Sequence, residues 1–405
     1  MRVIYLHQYF TTPSMSGGTR SYEMAKRLVQ SGHEVHIVTS WRQKTEKTSW
    51  FHETIDGINV HWLPVEYSNS MSFGDRIKAF FNYAFKAGKK ACTLGGDVVF
   101  ATSTPLTIAI PGVYVSKKLK LPMVFEVRDL WPELPIAIGA LKSPISKFMA
   151  RKLERFAYHH SKRIIALSPG MAEGVIKTGY PADRVTVIPN SADLDLFKPD
   201  EELALAFRRE HAFLGDGPII LYAGTLGLIN GVAYLAQLAS EVKKLSPEMR
   251  FVVIGGGMEW DKVKGEAENL GVLNTNFYMI ESLPKIELVK AFSAASVSVS
   301  LFVDLKPMEV NSANKFFDSL ASGTPVAINY GGWQQELLQS SQAGIRLSRD
   351  IKVAAQTLVD FVNQEGNLDS CSQNARKLAE NEFSRDELAK KFEQVLVSAI
   401  GQDKQ

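Results

Sequence analysis

Three charged side chains, Glu309, Lys315 and Asp318, gather in the stretch EVNSANKFFDSLASGTPVAINYGG, which runs from Glu309 to Gly332. A polar loop there enters a short apolar helix expected to end at Gly323, and a strand follows over Val326 to Ile328. Ser312 or Asn314 is placed to cap the helix. Free N–H groups and the positive end of the helix dipole make such a start an anion site, and Lys315 adds a point charge to it. Lys315 and Asp318 stand three residues apart and share a face. Asp318 cannot serve the same anion, but a carboxylate accepts two hydrogen bonds from vicinal hydroxyls. Anion plus diol describes the diphosphate and ribose of a nucleotide. A capped helix with a surface i,i+3 pair accounts for the same residues equally well.

Other candidates follow strands. YAGTLGLINGVAYLAQLA places Gly224, Gly227 and Gly231 around a turn that opens a helix, where backbone can approach a phosphate closely. Ordinary strand-to-helix turns also use glycine, and the Walker spacing and its lysine are missing. VVIGGGMEWDKV sets Gly255, Gly256 and Gly257 at another strand end, without the spacing of a dinucleotide fingerprint. FTTPSMSGGTRSYEMA carries Gly17 and Gly18 ahead of a helix beginning near Thr19, either as a loop under a ligand or as a flexible helix entry. In VFEVRDLWPELP, Arg128 and Asp129 end a strand, with Glu133 beyond a turn stiffened by Trp131 and Pro132.

Metal chemistry finds little support. The DLD at 193–195 lies in a Pro- and Asn-rich segment and reads as a linker with helix-capping aspartates. The eight histidines show no pairing at metal-ligand spacing. No metal and no cofactor are expected.

The elements that must position these residues alternate. Strand-like runs RVIYLH, EVHIVTS, DVVFATS, LPMVFEVRD, KRIIALS and RVTVIPN are separated by helical stretches. The rhythm restarts near residue 215 with PIILYAGTLG, RFVVIGGG, NTNFYMI, ASVSVSLF and TPVAINY. This βα alternation argues for two parallel sheets covered by helices, with PNSADLDLFKPDEE as the hinge. The expected domains are residues 1–190 and 191–384, with a last helix at about 385–405, capped by Ser384, packing back on the first. Ligands bind beyond the carboxyl ends of strands in such sheets, so two facing sheets imply a cleft.

The chain has 405 residues, 45% apolar and 22% charged, which suits a globular protein of two or more domains. Two cysteines, Cys92 and Cys371, argue against a disulfide framework. The N-terminus reads as a buried strand rather than a signal peptide, and no run reaches the ~20 apolar residues that span a bilayer. Residues 1–190 hold 25 Lys and Arg against 14 Asp and Glu, whereas residues 191–405 hold 21 against 29. A basic half is suited to an anionic partner, or the halves simply attract each other. Two helices there, GDRIKAFFNYAFKAGKK and SPISKFMARKLERFAYHHSKR, are basic and amphipathic, as interfacial helices are. Aromatics facing the core and lysines facing water give the plainer reading.

The constellation SGGTRSYEMAKRLVQSGHEVHIVT, RDLWPE, IPNSADLDLF, YAGTLG and NKFFDSLASGTPV resembles glycosyltransferase family 4, the retaining enzymes of the two-Rossmann GT-B architecture. The resemblance covers nearly the whole chain. It is most similar to bacterial O-antigen and capsule amino-sugar transferases of the L-fucosamine transferase type. That resemblance implies a GT-B fold, a UDP-linked N-acetylated deoxysugar as donor and a lipid-linked saccharide as acceptor. It implies a cytoplasmic enzyme, peripheral on the inner face of the plasma membrane through its basic half, with no nucleic acid partner. Donor binding would fall to Gly17, Gly18, Gly224, Thr225, Gly227, Asn230, Gly255, Gly256, Ile280, Asn314, Lys315 and Asp318. Arg128, Asp129, Glu309 and Lys315 would carry catalysis.

The match has departures. The family's paired glutamates, eight residues apart, correspond to Val310 and Asp318, with Glu309 one place early. The Arg and Lys of the glycine turn correspond to about Thr225 and Asn230. The acceptor-side His is replaced by Arg128, which is expected to reach the diphosphate across the cleft, and Asp129 is expected to orient the acceptor. The resemblance further implies that a donor phosphate oxygen helps deprotonate the acceptor hydroxyl, with no covalent nucleophile. A UDP-N-acetyl-sugar 2-epimerase on the same architecture and a non-catalytic sugar-nucleotide-binding protein are the rival readings. Glycines and charges in both halves favour catalysis over one-sided binding.

Overall fold

The computed structural model describes residues 1–15, 17–65, 73–103, 105–191 and 193–401. The proposed hinge includes residue 192, and the expected last helix includes 402–405; those positions lie outside the described residues. The chain forms two compact units, Met1–Pro189 with Asp386–Gln405, and Asn190–Arg385.

In the first unit eight strands form one sheet. They are β1 (Arg2–Leu6), β2 (Glu34–Trp41), β3 (Phe51–Ile55), β4 (Ile58–Pro64), β5 (Val98–Thr102), β6 (Met123–Val127), β7 (Arg163–Ala166) and β8 (Val185–Val187), in the order β3-β4-β2-β1-β5-β6-β7-β8. Pairing is parallel except between β3 and β4, an antiparallel hairpin at the edge. This departs from an all-parallel sheet, and the hairpin closes on Asp56 and Gly57, both with positive φ. Strand alternation sorts the core into two layers. Ile4, Leu6, Val99 and Phe125 pack on one face. Val3, Tyr5, Phe100 and Val124 pack on the other, together with Phe392 and Leu396 of the final helix Arg385–Gly401. Phe100 and Phe392 meet edge to face at 4.8 Å between ring centroids.

In the second unit six strands, β9 (Ile219–Ala223), β10 (Arg250–Ile254), β11 (Phe277–Ile280), β12 (Val297–Ser300), β13 (Val326–Ile328) and β14 (Gly344–Arg346), form an all-parallel sheet in the order β11-β10-β9-β12-β13-β14. Each sheet reverses its strand order once, at β1/β5 and at β9/β12. Such switch points open a crevice beyond the carboxyl ends of the strands, and the candidate residues lie at both.

Candidate functional site

In the second unit the short helix Asn314–Ala321 buries Phe316, Phe317 and Leu320. Neither Ser312 nor Asn314 caps it; Ala313 occupies the cap position with no side-chain bond. The Ser312 hydroxyl instead accepts from the Asn190 amide at 3.0 Å, and Asn311 takes the Ala313 N–H at 3.1 Å. Gly323, with φ of 66°, ends the helix as expected from its position.

Lys315 leads into the β9/β12 switch point. Its ammonium donates to the Tyr222 hydroxyl at 3.1 Å and lies 4.6 Å from the Tyr222 ring centroid and 5.7 Å from that of Phe302. The Asn230 amide, with its oxygen toward Lys315, accepts from Nζ at 3.2 Å and donates to the Thr225 carbonyl at 3.0 Å. The Tyr222 hydroxyl donates to the same carbonyl at 2.7 Å. No carboxylate forms an ion pair with Lys315 among the described residues, and burial pulls its pKa down to about 7. An amine that an arriving anion would charge fully is therefore held beside a glycine turn.

That turn is built by close backbone approach. Gly224 has φ of 154°, and a methyl group there would sit 3.1 Å from Lys315 Cε. A methyl on Gly255 would lie 1.9 Å from the Gly224 carbonyl oxygen, so this crossing admits glycine alone. Gly256 accepts from the Leu226 amide at 2.9 Å, Gly227 accepts from the Asn230 amide at 2.9 Å, and the Ile280 carbonyl receives the Gly255 N–H at 3.0 Å. The carboxyl ends of β9, β10 and β11 are thereby tied together.

Asp318 does not pair with Lys315 despite the i,i+3 spacing. Its carboxylate faces Lys285 at 4.0 Å, and burial raises its pKa against the pull of Lys285 and Arg385. Asp193, read from the sequence as a linker aspartate, faces the same group and binds Arg385 at 2.7 Å while accepting the Leu196 N–H. Glu309 stands in the turn Lys306–Val310 and pairs with exposed Lys306 at 2.5 Å. A methyl on Gly331 would lie 3.5 Å from its Oε1. Glu309, Lys315 and Asp318 thus reach three different surroundings. Asn314 is exposed at the helix start.

Sequence reasoning misses Tyr222, Phe302, Lys285 and Arg385. Tyr222 and Phe302 read as core in apolar runs, and the two cations read as surface helix residues.

In the first unit, Arg128 follows β6 and donates its backbone N–H to Ser103 Oγ at 2.9 Å. Its guanidinium lies 3.4 Å from His7 Nε2. Asp129 is half-buried beside it. Gly17 and Gly18 are exposed ahead of the helix Arg20–Gln30, with the Gly18 carbonyl accepting from Thr11 Oγ1 at 2.8 Å. Arg20 is sunk in the core. It binds Glu126 at 2.9 Å and the Ile188 and Pro189 carbonyls at 2.9 and 2.6 Å, while Thr102 satisfies the other Glu126 oxygen. No cluster of three potential metal-ligating side chains occurs among the described residues.

Residues 17–191 match the Glycosyl transferase 4-like domain, and residues 205–378 match Glycosyl transferases group 1. A colanic acid biosynthesis glycosyl transferase, WcaI, of Escherichia coli K12 is 22% identical over 292 residues, 67% of this chain and 70% of that one. Sucrose-phosphate synthase from Thermosynechococcus elongatus superposes with a TM-score of 0.79 at 15% identity, over 99% of each chain. Anabaena HepE in complex with UDP and glucose gives 0.74 at 15% identity, over 98% of this chain and all of that one. The two halves of this chain match a glycosyl transferase 4-like domain and a glycosyl transferases group 1 domain, and the protein is a glycosyltransferase with the GT-B fold.

Proposed function

We propose that the protein transfers a sugar, an N-acetylated deoxysugar, from a UDP-sugar to a lipid-linked saccharide in bacterial surface polysaccharide assembly, with the anomeric configuration retained. The observation that carries this reading is the Lys315 ammonium, held without a carboxylate partner beside the Gly224 turn. UDP in the HepE structure and the colanic acid role in the name of WcaI support it. Lys315 and the free amides of the Asn314–Ala321 helix take the donor diphosphate, Asp318 takes the ribose hydroxyls, and Glu309 takes the sugar. Gly17, Gly18, Arg128 and Asp129 serve the reaction from the first unit.

As the bond from the anomeric carbon to the phosphate oxygen breaks, its electron pair passes to the UDP diphosphate. Fixed positive charge stabilises that product more than the bound donor, which is what lowers the barrier. The acceptor hydroxyl forms the new bond on the same face and gives its proton to a donor phosphate oxygen. Neither a metal nor a covalent nucleophile is required.

The acceptor's lipid suggests work at a membrane. No helix among the described residues is long and apolar enough to cross one. On the helices Phe73–Leu94 and Pro144–His159, Tyr83 and Tyr158 are core residues, whereas Phe85 and Ile145 are 64% and 75% exposed among lysines and arginines. Side chains of that kind insert at an anionic lipid surface, here the inner face of the plasma membrane.

The test is a thermal-shift panel of UDP-, GDP- and dTDP-sugars, followed by titration of Lys315→Ala. UDP compounds should raise the melting temperature most, and the variant should bind UDP at least 100-fold more weakly while melting as the native chain does. Native-like UDP affinity in Lys315→Ala would remove the central element. NMR of the UDP-sugar without acceptor, showing C2 inversion, would favour the epimerase instead.

A further inference from the structure

Beside Arg128, the first unit holds polar groups that the donor chemistry leaves unused. His7, Gln8 and Tyr9 follow β1, Arg42 follows β2, Ser103 follows β5 and Arg128 follows β6, so all stand at carboxyl ends around the β1/β5 switch point. His7 and Gln8 are 3% and 1% exposed. Both polar atoms of the Gln8 side chain, and Nδ1 of His7, lack a hydrogen-bond partner among the described residues. Buried polar atoms are rarely left so.

Charge surrounds them. Burial, and then the charges of Arg128 and Arg42, hold the His7 pKa well below the usual range, so the ring is neutral. Because Arg128 Nη1 donates toward His7 Nε2 at 3.4 Å, the ring proton sits on Nδ1, a buried donor with no acceptor. The Arg42 guanidinium lies over the Tyr9 ring at 5.3 Å. Neither arginine forms an ion pair among the described residues; Glu126, which Arg128 helps keep ionised, is bonded to Arg20 and Thr102. Two guanidiniums outside any direct ion pair, a neutral imidazole N–H and a free carboxamide make a receptor for an oxyanion.

We propose that this switch point is a subsite for an oxyanion of the acceptor, a phosphate or a carboxylate, bound by Arg42 and Arg128 with His7 and Gln8 as neutral partners. The inference rests on the reading of the first unit as the acceptor side. It adds that the acceptor is recognised by a negative charge and not by its hydroxyls alone. A phosphate would come from the lipid diphosphate linkage, and a carboxylate from a uronic acid residue.

Calorimetric titration of the full chain with three octyl compounds tests it: neutral N-acetylglucosaminide, diphospho-N-acetylglucosamine and glucuronide. At least one anionic compound should bind tenfold or more tightly than the neutral one, and which does so identifies the source. Arg42→Gln should remove most of that advantage and leave neutral binding unchanged, and Arg128→Gln should remove it whatever it does to neutral binding. Arg42 is exposed, so its variant keeps the test open should Arg128→Gln fail to fold. Equal binding of neutral and charged compounds, no binding of either anion, or an advantage that survives in Arg42→Gln would overturn the proposal. UDP titration of the same native samples reports separately on the donor reading. Its failure with an intact anion preference would fault that reading and not this one.

Discussion

Lys315 is legible in the sequence as a cation at a helix start, but its surroundings are not. The rings that strip its water, Tyr222 and Phe302, are ordinary apolar members of their runs, and only the fold brings them together. Those surroundings make a pH prediction. Lys315 in the donor-free protein has a pKa near 7, and a diphosphate beside it raises that value. Binding above pH 7 therefore takes up a proton, and affinity falls by up to about tenfold per pH unit until the bound-state pKa is reached. UDP titrations from pH 6 to 9 should show this decline, with a flatter profile for Lys315→Arg, since arginine stays charged. A pH-independent native affinity would contradict it. Asp318 shows the opposite limit of sequence reasoning. Helical spacing predicts that Lys315 and Asp318 share a face, yet the two reach different surroundings, and Lys285, Asp193 and Arg385, remote in sequence, decide what the carboxylate meets.

Most strands are readable because each is a short apolar, β-branched run ended by glycine or a polar cluster; the alternation implies two parallel sheets, and the family resemblance implies the GT-B fold that is found. The β3–β4 hairpin is not, because β3, FHETI, is an edge strand with an exposed middle and little apolar content. Three imidazoles meet across it and its neighbours. His36 Nδ1 lies 3.1 Å from His61 Nε2, and His52 lies 4.9 Å from His61 between ring centroids. Burial and then Lys90 pull the His61 pKa down to about 3. The unfolded chain, with an ordinary value near 6.5, then binds the extra proton between about pH 3 and 6.5. Stability is full above that window and falls as pH drops through it, by up to about 1.4 kcal/mol per unit. Urea midpoints between pH 7 and 4 should fall less steeply in His61→Gln. The glycine crossing makes a second element-scale prediction: Gly255→Ala should cost about 3 kcal/mol, because the obstructing atom is backbone. A melting temperature within two degrees of the native chain's would refute it.

At the scale of the whole molecule, the excess of positive charge before residue 191 coincides with the exposed aromatic side chains Phe81, Phe85 and Phe148. Vesicles containing phosphatidylglycerol should therefore retain the protein in a flotation assay. Phe85→Ser with Phe148→Ser, or about 0.5 M salt, should release it; equal retention on neutral vesicles would argue against the charge. The order in which the chain is made carries another consequence. The first unit leaves off at Pro189 and is completed by Asp386 onward, where Phe392 and Leu396 cover the sheet beside Phe100. At about ten residues per second, a ribosome needs on the order of twenty seconds to synthesise the intervening unit. For that interval the nascent amino-terminal sheet shows water an apolar flank whose cover has not yet been translated. The portion synthesised first is thus the last to be finished.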